Sequence, residues 1–330
     1  MVRGISVVIP NFNGVKLFPH TLSTVVEALE NSGKPSEIIV VDDCSTDTSI
    51  AYLEQYHPEI KIIKILCNKG FSLSANKGVE AAKYDKVLLL NSDVKLTPDY
   101  FIHQYKYFES PDTFGIMGRI IGWEDQIIQD GAKYPAFHGA KIKTSGNYIL
   151  RDKTIMKDGL YSMYLSGANA FIDREKFLAI GGFNDAFSPF YIEDYELSLR
   201  AWRLGYKCYY EYNSVCKHKI SISINKSNKK SFVDIIYNRN KMILHALHLD
   251  GGRKLLWYLQ LLLESFVHLV MLRGKYLKSL RLFLASTKKI KDAKEHFYLC
   301  RANCNSLKTV NEVAIFILDD IKVKKSIIRF

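Results

Sequence analysis

The 330-residue chain is long enough for one large α/β domain with an appended element, or for two domains. Its 48% hydrophobic and 24% charged content excludes a globally disordered protein. The net charge of +12 is unevenly placed: residues 1–218 carry −2 and residues 219–330 carry +14, so a boundary is expected near His218. The basic third interleaves its charges with apolar residues, as in Leu255-Leu256-Trp257-Tyr258-Leu259. That pattern favours helices that pack, or that lie on a membrane, over an extended arm for nucleic acid, which is not an expected partner.

In chain order, Ile5–Pro10 is a short apolar run stopped by proline and reads as a buried strand. Helical spacing follows from Val15 to Asn31, then a strand over Glu37–Val41 ending on Asp42-Asp43. A helix over Thr46–Gln55, a strand over Ile60–Leu66, a helix over Ser72–Lys83 and a strand over Lys86–Leu90 complete the alternation. Four strand–helix alternations predict a parallel sheet covered on both faces, with its ligand at the carboxyl ends of the strands. The polar clusters fall at those ends: Asn11-Phe12-Asn13, Asp42-Asp43, Asn68-Lys69-Gly70 and Asn91-Ser92-Asp93.

Residues 111–165 are less regular and suggest loops with a hairpin. Beyond them come Ser166-Gly167-Ala168, a helix over Arg174–Ile180, the turn Gly181-Gly182-Phe183 and a helix opened by Glu193-Asp194 and running to Leu204. A strand-like stretch from Lys207 to Cys216 leads to His218, and residues 225–230 form a polar linker candidate. In the run 255–272, Gln260, Glu264 and His268 recur every fourth residue and share one helical face, so an amphipathic surface helix is expected rather than a span. The six cysteines are scattered, with Cys300 and Cys304 reading as small buried thiols rather than zinc ligands. A reducing, cytoplasmic setting is the expectation, and the N-terminus lacks signal-peptide form.

No glycine-rich dinucleotide or phosphate loop follows an early strand, so a diphosphate here needs a metal rather than a glycine cradle. Asp93, projecting from a strand end, can hold a divalent cation, although Thr97-Pro98-Asp99 nearby also allows a turn cap. Asp42 or Asp43 can accept hydrogen bonds from a base or ribose. Glu193-Asp194 suits a general base, against the alternative of acidic residues stabilising a helix N-terminus. Phe183, Phe187, Phe190, Tyr191 and Tyr195 could wall a sugar site. His218, by place, is a metal-ligand candidate; a lone histidine is more often structural.

These motifs, in this order and spacing over residues 4–218, resemble family 2 glycosyltransferases of the GT-A fold, particularly the bacterial rhamnosyltransferase-like branch. The resemblance implies a Rossmann-like, mostly parallel central sheet covered by helices. It implies a GT-A catalytic domain over 1–218; the basic, mainly helical region over 219–330 is read from its charge and apolar residues as an element that meets a membrane surface, or as a helical cap or dimerisation element. Pro10, Asn11, Asn13 and Asp42 would line the nucleoside pocket, with Asn68, Gly70 and Asn76 closing it and Asp43 and Ser92 nearby. Asp93 matches the last Asp of the family's metal motif, with Asn91 at the first position, and His218 matches a histidine that completes the Mg2+ or Mn2+ site. Asp194 matches an inverting general base and Glu193 an acceptor ligand or second base. Gly167, Ala168 and Tyr191 would border the sugars. The implied donor is a dTDP- or UDP-sugar and the acceptor a glycan or lipid-linked hydroxyl. The absence of an Arg-Trp pair points to a non-processive enzyme. The rival readings are a sugar nucleotidyltransferase, which needs an Arg-containing glycine-rich loop, and a non-catalytic binding subunit.

Overall fold

The computed structural model describes residues 2–150, 159–219, 230–302, 307–324 and 327–329. The first strands are β1 (Val2–Asn11), β2 (Ser36–Asp42), β3 (Lys61–Lys64) and β4 (Tyr84–Leu90), alternating with helices α1 (Phe18–Asn31), α2 (Ser49–Tyr56) and α3 (Phe71–Ala81). The four strands are parallel in the order β4-β1-β2-β3. Successive side chains of a strand point to opposite faces. Here both faces are apolar: Val7, Ile9, Val40, Leu88 and Leu90 pack with Phe18 and Leu22 of α1, whereas Val8, Ile39, Val41 and Leu89 pack with Ala75 and Val79 of α3. That two-sided burial is why these strands read as continuous hydrophobic runs.

The short strand β5 (Val94–Leu96) follows, and then the sheet is extended by β6 (Thr113–Gly122). Residues 111–165 therefore depart from the expected loops: β6 is a ten-residue buried strand within the sheet. Its glycines hide it in the sequence. A side chain at Gly115 would approach Phe171 O to 2.7 Å, and one at Gly118 would approach Ser214 O to 2.5 Å, so close strand approach demands glycine where an apolar residue would have signalled a strand. Next come β7 (Ile128–Asp130) and the expected hairpin, β8 (Ala132–His138) with β9 (Lys141–Leu150).

After β10 (Leu160–Tyr161), β11 (Asn169–Asp173) lies antiparallel between β4 and β6. It leads through α4 (Arg174–Ala179) to α5 (Glu193–Arg203) and β12 (Lys207–His218), which runs parallel to β6 and pairs with β5. Then follow α6 (Lys230–His248), α7 (Gly251–Val270), α8 (Gly274–Ala285), α9 (Thr287–Ala302) and α10 (Val310–Val323), and a last strand, Ile327–Arg329, pairs with β9. Cys300 is buried as expected; Cys304 and all but Lys230 of the polar stretch 225–230 lie outside the described residues. Among the described residues no helix is long and apolar enough to cross a membrane.

Candidate active site

The parallel register sets Asn11 beside Asp42 at the carboxyl edge of the sheet, with Pro10 beside Val41. Asn11 Nδ2 donates to Asp42 Oδ1 at 2.8 Å, and Ser45 donates to the same carboxylate through its hydroxyl at 2.5 Å and its amide at 3.0 Å. Asn11 Oδ1 is buried without a partner, leaving an acceptor at this strand end. Asn13 adopts a left-handed backbone (φ 57°), and its side-chain oxygen accepts from the Thr46 amide at 2.8 Å, so it shapes the 45–47 loop.

Asp43 binds the next loop: its two oxygens accept from the Lys69 and Gly70 amides at 2.8 and 2.7 Å. Burial pushes its pKa above the usual value, opposed by those amides. Gly70 has φ +87°, and a side chain there would come within 2.7 Å of Pro189 O, so glycine is required for this loop to close. Asn68 is exposed beside it.

Asn76, expected to help close the nucleoside pocket, bonds to the Phe183 backbone. Its amide donates to Phe183 O at 2.9 Å and accepts from Phe183 N at 2.8 Å, so both polar ends pin α3 to the Gly182-Phe183 turn.

Asn91, Ser92 and Asp93 follow β4, each partly buried. Asp93 Oδ1 is buried without a hydrogen-bond partner and lies 3.5 Å from Nε2 of His218, which the β5–β12 pairing brings alongside. Gln129 grips the histidine from behind, with Oε1 3.2 Å from Nδ1 and Nε2 donating to the His218 carbonyl at 3.2 Å. With the tautomer that this contact favours, Nδ1–H donates to Gln129 and the Nε2 lone pair faces the carboxylate. Two acceptors facing one another across a buried gap fit a divalent cation of the Mg2+ or Mn2+ type. Trp123 Nε1 donates to Asp93 O at 3.0 Å, and Lys95 and Lys219 lie 4.0 and 5.0 Å from its ring, adding positive charge to this corner.

The second acidic cluster is tied to the first through the backbone: Asn91 N donates to Ala168 O at 3.2 Å, and Gly167 N donates to Asp194 Oδ2 at 3.3 Å. Asp194 Oδ1 accepts from Tyr195 N at 2.7 Å. Burial raises the Asp194 pKa while these amides and Lys133 oppose the rise. Glu193 is buried, its Oε2 has no partner, and desolvation with the neighbouring Asp194 charge pushes its pKa to about 8. Burial thus pushes both acids toward their protonated forms, and Asp194 is the one whose anion the Gly167 and Tyr195 amides and Lys133 favour. Lys133, on β8, is itself pushed down to about 8 by burial.

The approach to the pair is strained. Tyr191 and Ile192 both adopt left-handed backbone, at φ 71° and 74°. The stretch is held from α6: Asn240 Nδ2 lies 2.7, 2.9 and 2.8 Å from the carbonyls of Phe187, Phe190 and Tyr191. Asn240→Ala would leave these carbonyls short of a buried donor, a loss of about 1–3 kcal/mol. The expected result is a fall in activity of about tenfold or more in steady-state kinetics. Wild-type kinetics would show that the loop does not need this anchor.

The supporting residues Trp123, Gln129, Lys133 and Asn240 were not legible in the sequence. Each acts through a partner distant along the chain, and Asn240 sits in the polar run Asn238-Arg239-Asn240-Lys241, which carries no signal of its own.

A family model described as Glycosyl transferase family 2 matches residues 6–181. The putative teichuronic acid biosynthesis glycosyltransferase TuaG of Bacillus subtilis (strain 168) is 24% identical over 229 residues, covering 64% of this chain and 88% of that protein. The chondroitin synthase of Pasteurella multocida (strain Pm70) is 25% identical over 231 residues; the match covers 61% of this chain but only 23% of that longer protein. Among solved structures, GalNAc-T7 with UDP, GalNAc and Mn2+ superposes with a TM-score of 0.66 at 15% identity, over 98% of this chain and 58% of that one. The shared fold is GT-A, as the sequence motifs imply. With the family model spanning more than half of it, the chain belongs to glycosyl transferase family 2.

Proposed function

We propose that the protein is an inverting, non-processive glycosyltransferase. It moves a hexosyl or deoxyhexosyl group from a dTDP- or UDP-sugar to a hydroxyl of a glycan or lipid-linked acceptor, in the cytoplasm. The observation that carries the reading is the buried Glu193–Asp194 pair, in which Asp194 accepts from the Gly167 and Tyr195 amides. An anionic carboxylate fixed in this way takes the proton of an acceptor hydroxyl as its oxygen attacks the anomeric carbon. The attack breaks the bond to the diphosphate in one displacement and inverts the anomeric configuration.

Asn11, with its free acceptor, and the loops clamped by Asp42 and Asp43 receive the nucleoside; Gly167, Ala168 and Tyr191 border the sugars. Asp93 and His218 would hold Mg2+ or Mn2+, which supplies charge stabilisation to the leaving diphosphate. UDP and Mn2+ together in the GalNAc-T7 structure support this choice. Because one side chain orients the histidine, Gln129→Leu should weaken Mn2+ affinity by about 10–100-fold, read by calorimetry in the presence of nucleoside diphosphate. Unchanged Mn2+ binding would remove His218 from the metal site. A screen of UDP- and dTDP-sugars by thermal shift and by nucleoside diphosphate release tests the reading as a whole. A chain that binds donor yet releases no diphosphate with any acceptor would be a binding subunit instead.

A further inference from the structure

We propose that the outward face of α7 docks this protein on an anionic lipid bilayer. The helix is mounted inside out. Its polar stripe is spent on the protein: Gln260 Oε1 accepts from Ala140 N at 3.0 Å, Glu264 pairs with Lys141 at 2.5 Å, and His268 stacks with Tyr276 at 4.0 Å between ring centres. Trp257 and Leu261 are buried on that same side. The opposite side carries Leu255, Leu259, Leu262, Leu263, Phe266 and Val270, each at least half exposed and recurring at helical spacing. Soluble proteins rarely leave so long an apolar ridge in water.

Charge selects the occupant. Residues 265–291, which run from the end of this ridge through α8, contain seven Lys/Arg and no Asp or Glu. Arg273, Lys275, Lys278 and Arg281 are all exposed there. A second copy of the chain, meeting the same patch across a two-fold axis, would bring two such regions and two +14 segments together. An anionic bilayer answers both features, taking the leucines and phenylalanine into its acyl boundary and the cations at its headgroups. Since no described helix can cross a membrane, the contact is a helix lying in the interface. The docking helix directly follows α6, whose Asn240 holds the loop before Glu193-Asp194, so the lipid surface and the acceptor side share one structural support. The proposal does not depend on the transfer reaction, and its test uses no activity.

The test is flotation of the full-length protein with vesicles of phosphatidylcholine alone and of phosphatidylcholine mixed with phosphatidylglycerol. The wild type is expected to float with the mixed vesicles and hardly with the neutral ones, binding more weakly as salt rises. Leu262→Glu with Phe266→Glu should cut partitioning by at least about tenfold, since burying even one such side chain is worth that much. Both positions are 66% exposed, so the thermal midpoint should not move. Leu263→Trp should add fluorescence that lipids brominated on their acyl chains quench. The proposal is overturned if the wild type stays unbound with both vesicles, or if the glutamate variant floats as well as the wild type. It is overturned equally if the glutamates dissociate a dimer that never binds lipid.

Discussion

Asp194→Asn is expected to lower turnover by about 10²–10⁴-fold, the usual contribution of a general base, with nucleotide-sugar affinity left nearly intact. The amide would keep the shape, but its single oxygen can accept from only one of the Gly167 and Tyr195 amides, and it cannot take a proton. Glu193→Gln is expected to behave differently and keep activity within about tenfold, because glutamine resembles the protonated acid that Glu193 already is at neutral pH. The pH dependence follows in sign. Burial lifts Asp194 above its usual 3.8, so activity is lost as pH falls through that raised value, earlier than for an exposed aspartate. Ionisation of Glu193 near 8 places a second charge beside the base, giving an alkaline inflection in the rate profile that Glu193→Gln should erase.

Stability gives a second readout. An acid whose pKa is raised on folding costs stability above its unfolded value, since the folded form then holds a proton that the unfolded chain has released. Glu193→Gln should therefore melt higher than the wild type at pH 7, as expected where a site is kept at the expense of the fold. If Asp194→Asn retained wild-type turnover while Glu193→Gln lost it, the roles of the pair would have to be exchanged.

Glu196→Ala is expected to destabilise the fold by about 3–5 kcal/mol in chemical denaturation, the cost of breaking a buried ion pair from one side. Glu196 is 2% exposed and receives Arg200 Nε at 3.1 Å, Arg200 Nη2 at 2.8 Å and His248 Nε2 at 3.0 Å. Arg200 goes on to the carbonyls of Ile180 and Gly182, so one carboxylate joins α5, the glycine turn and α6. Without it the guanidinium stays buried and uncompensated. Burial alone would raise the Glu196 pKa, but Arg200 and His248 outweigh it and hold it at about 2. A depressed acid stabilises the folded state above its unfolded pKa near 4.5, and that stabilisation fades as pH falls toward 2. The variant's deficit should shrink over the same window. A loss under about 1 kcal/mol at pH 7 would mean that the network relaxes around the gap.

Much of the catalytic part was legible because its physics is local. A strand buried on both faces must be a continuous apolar run, and a ligand edge must collect the polar residues that end such runs; β1, β2 and β4 with Asn11, Asp42 and Asp93 show both. Strand β6 was not legible, because glycines forced by close contacts with β11 and β12 interrupt its apolar signal. Asn76 has a residue type suited to a nucleoside pocket, and nothing in its surroundings along the chain shows that it binds the Phe183 backbone. Polarity announces that a hydrogen bond will be made but not with what.

By itself, then, the sequence determined the parallel half of the sheet, the strand ends where its polar residues gather, the acidic residues there and the concentration of positive charge in the last third. Only the tertiary structure decided that His218 meets Asp93, that Asn240 reaches back to hold the 187–191 loop, and which side of α7 turns inward. The reason is common to all three. Spacing along a helix or strand defines a face, whereas the partner of that face is set by chain segments far away. The amphipathic pattern of α7 was visible from the start; that its apolar side looks outward emerged only once Gln260 and Glu264 were found against Ala140 and Lys141.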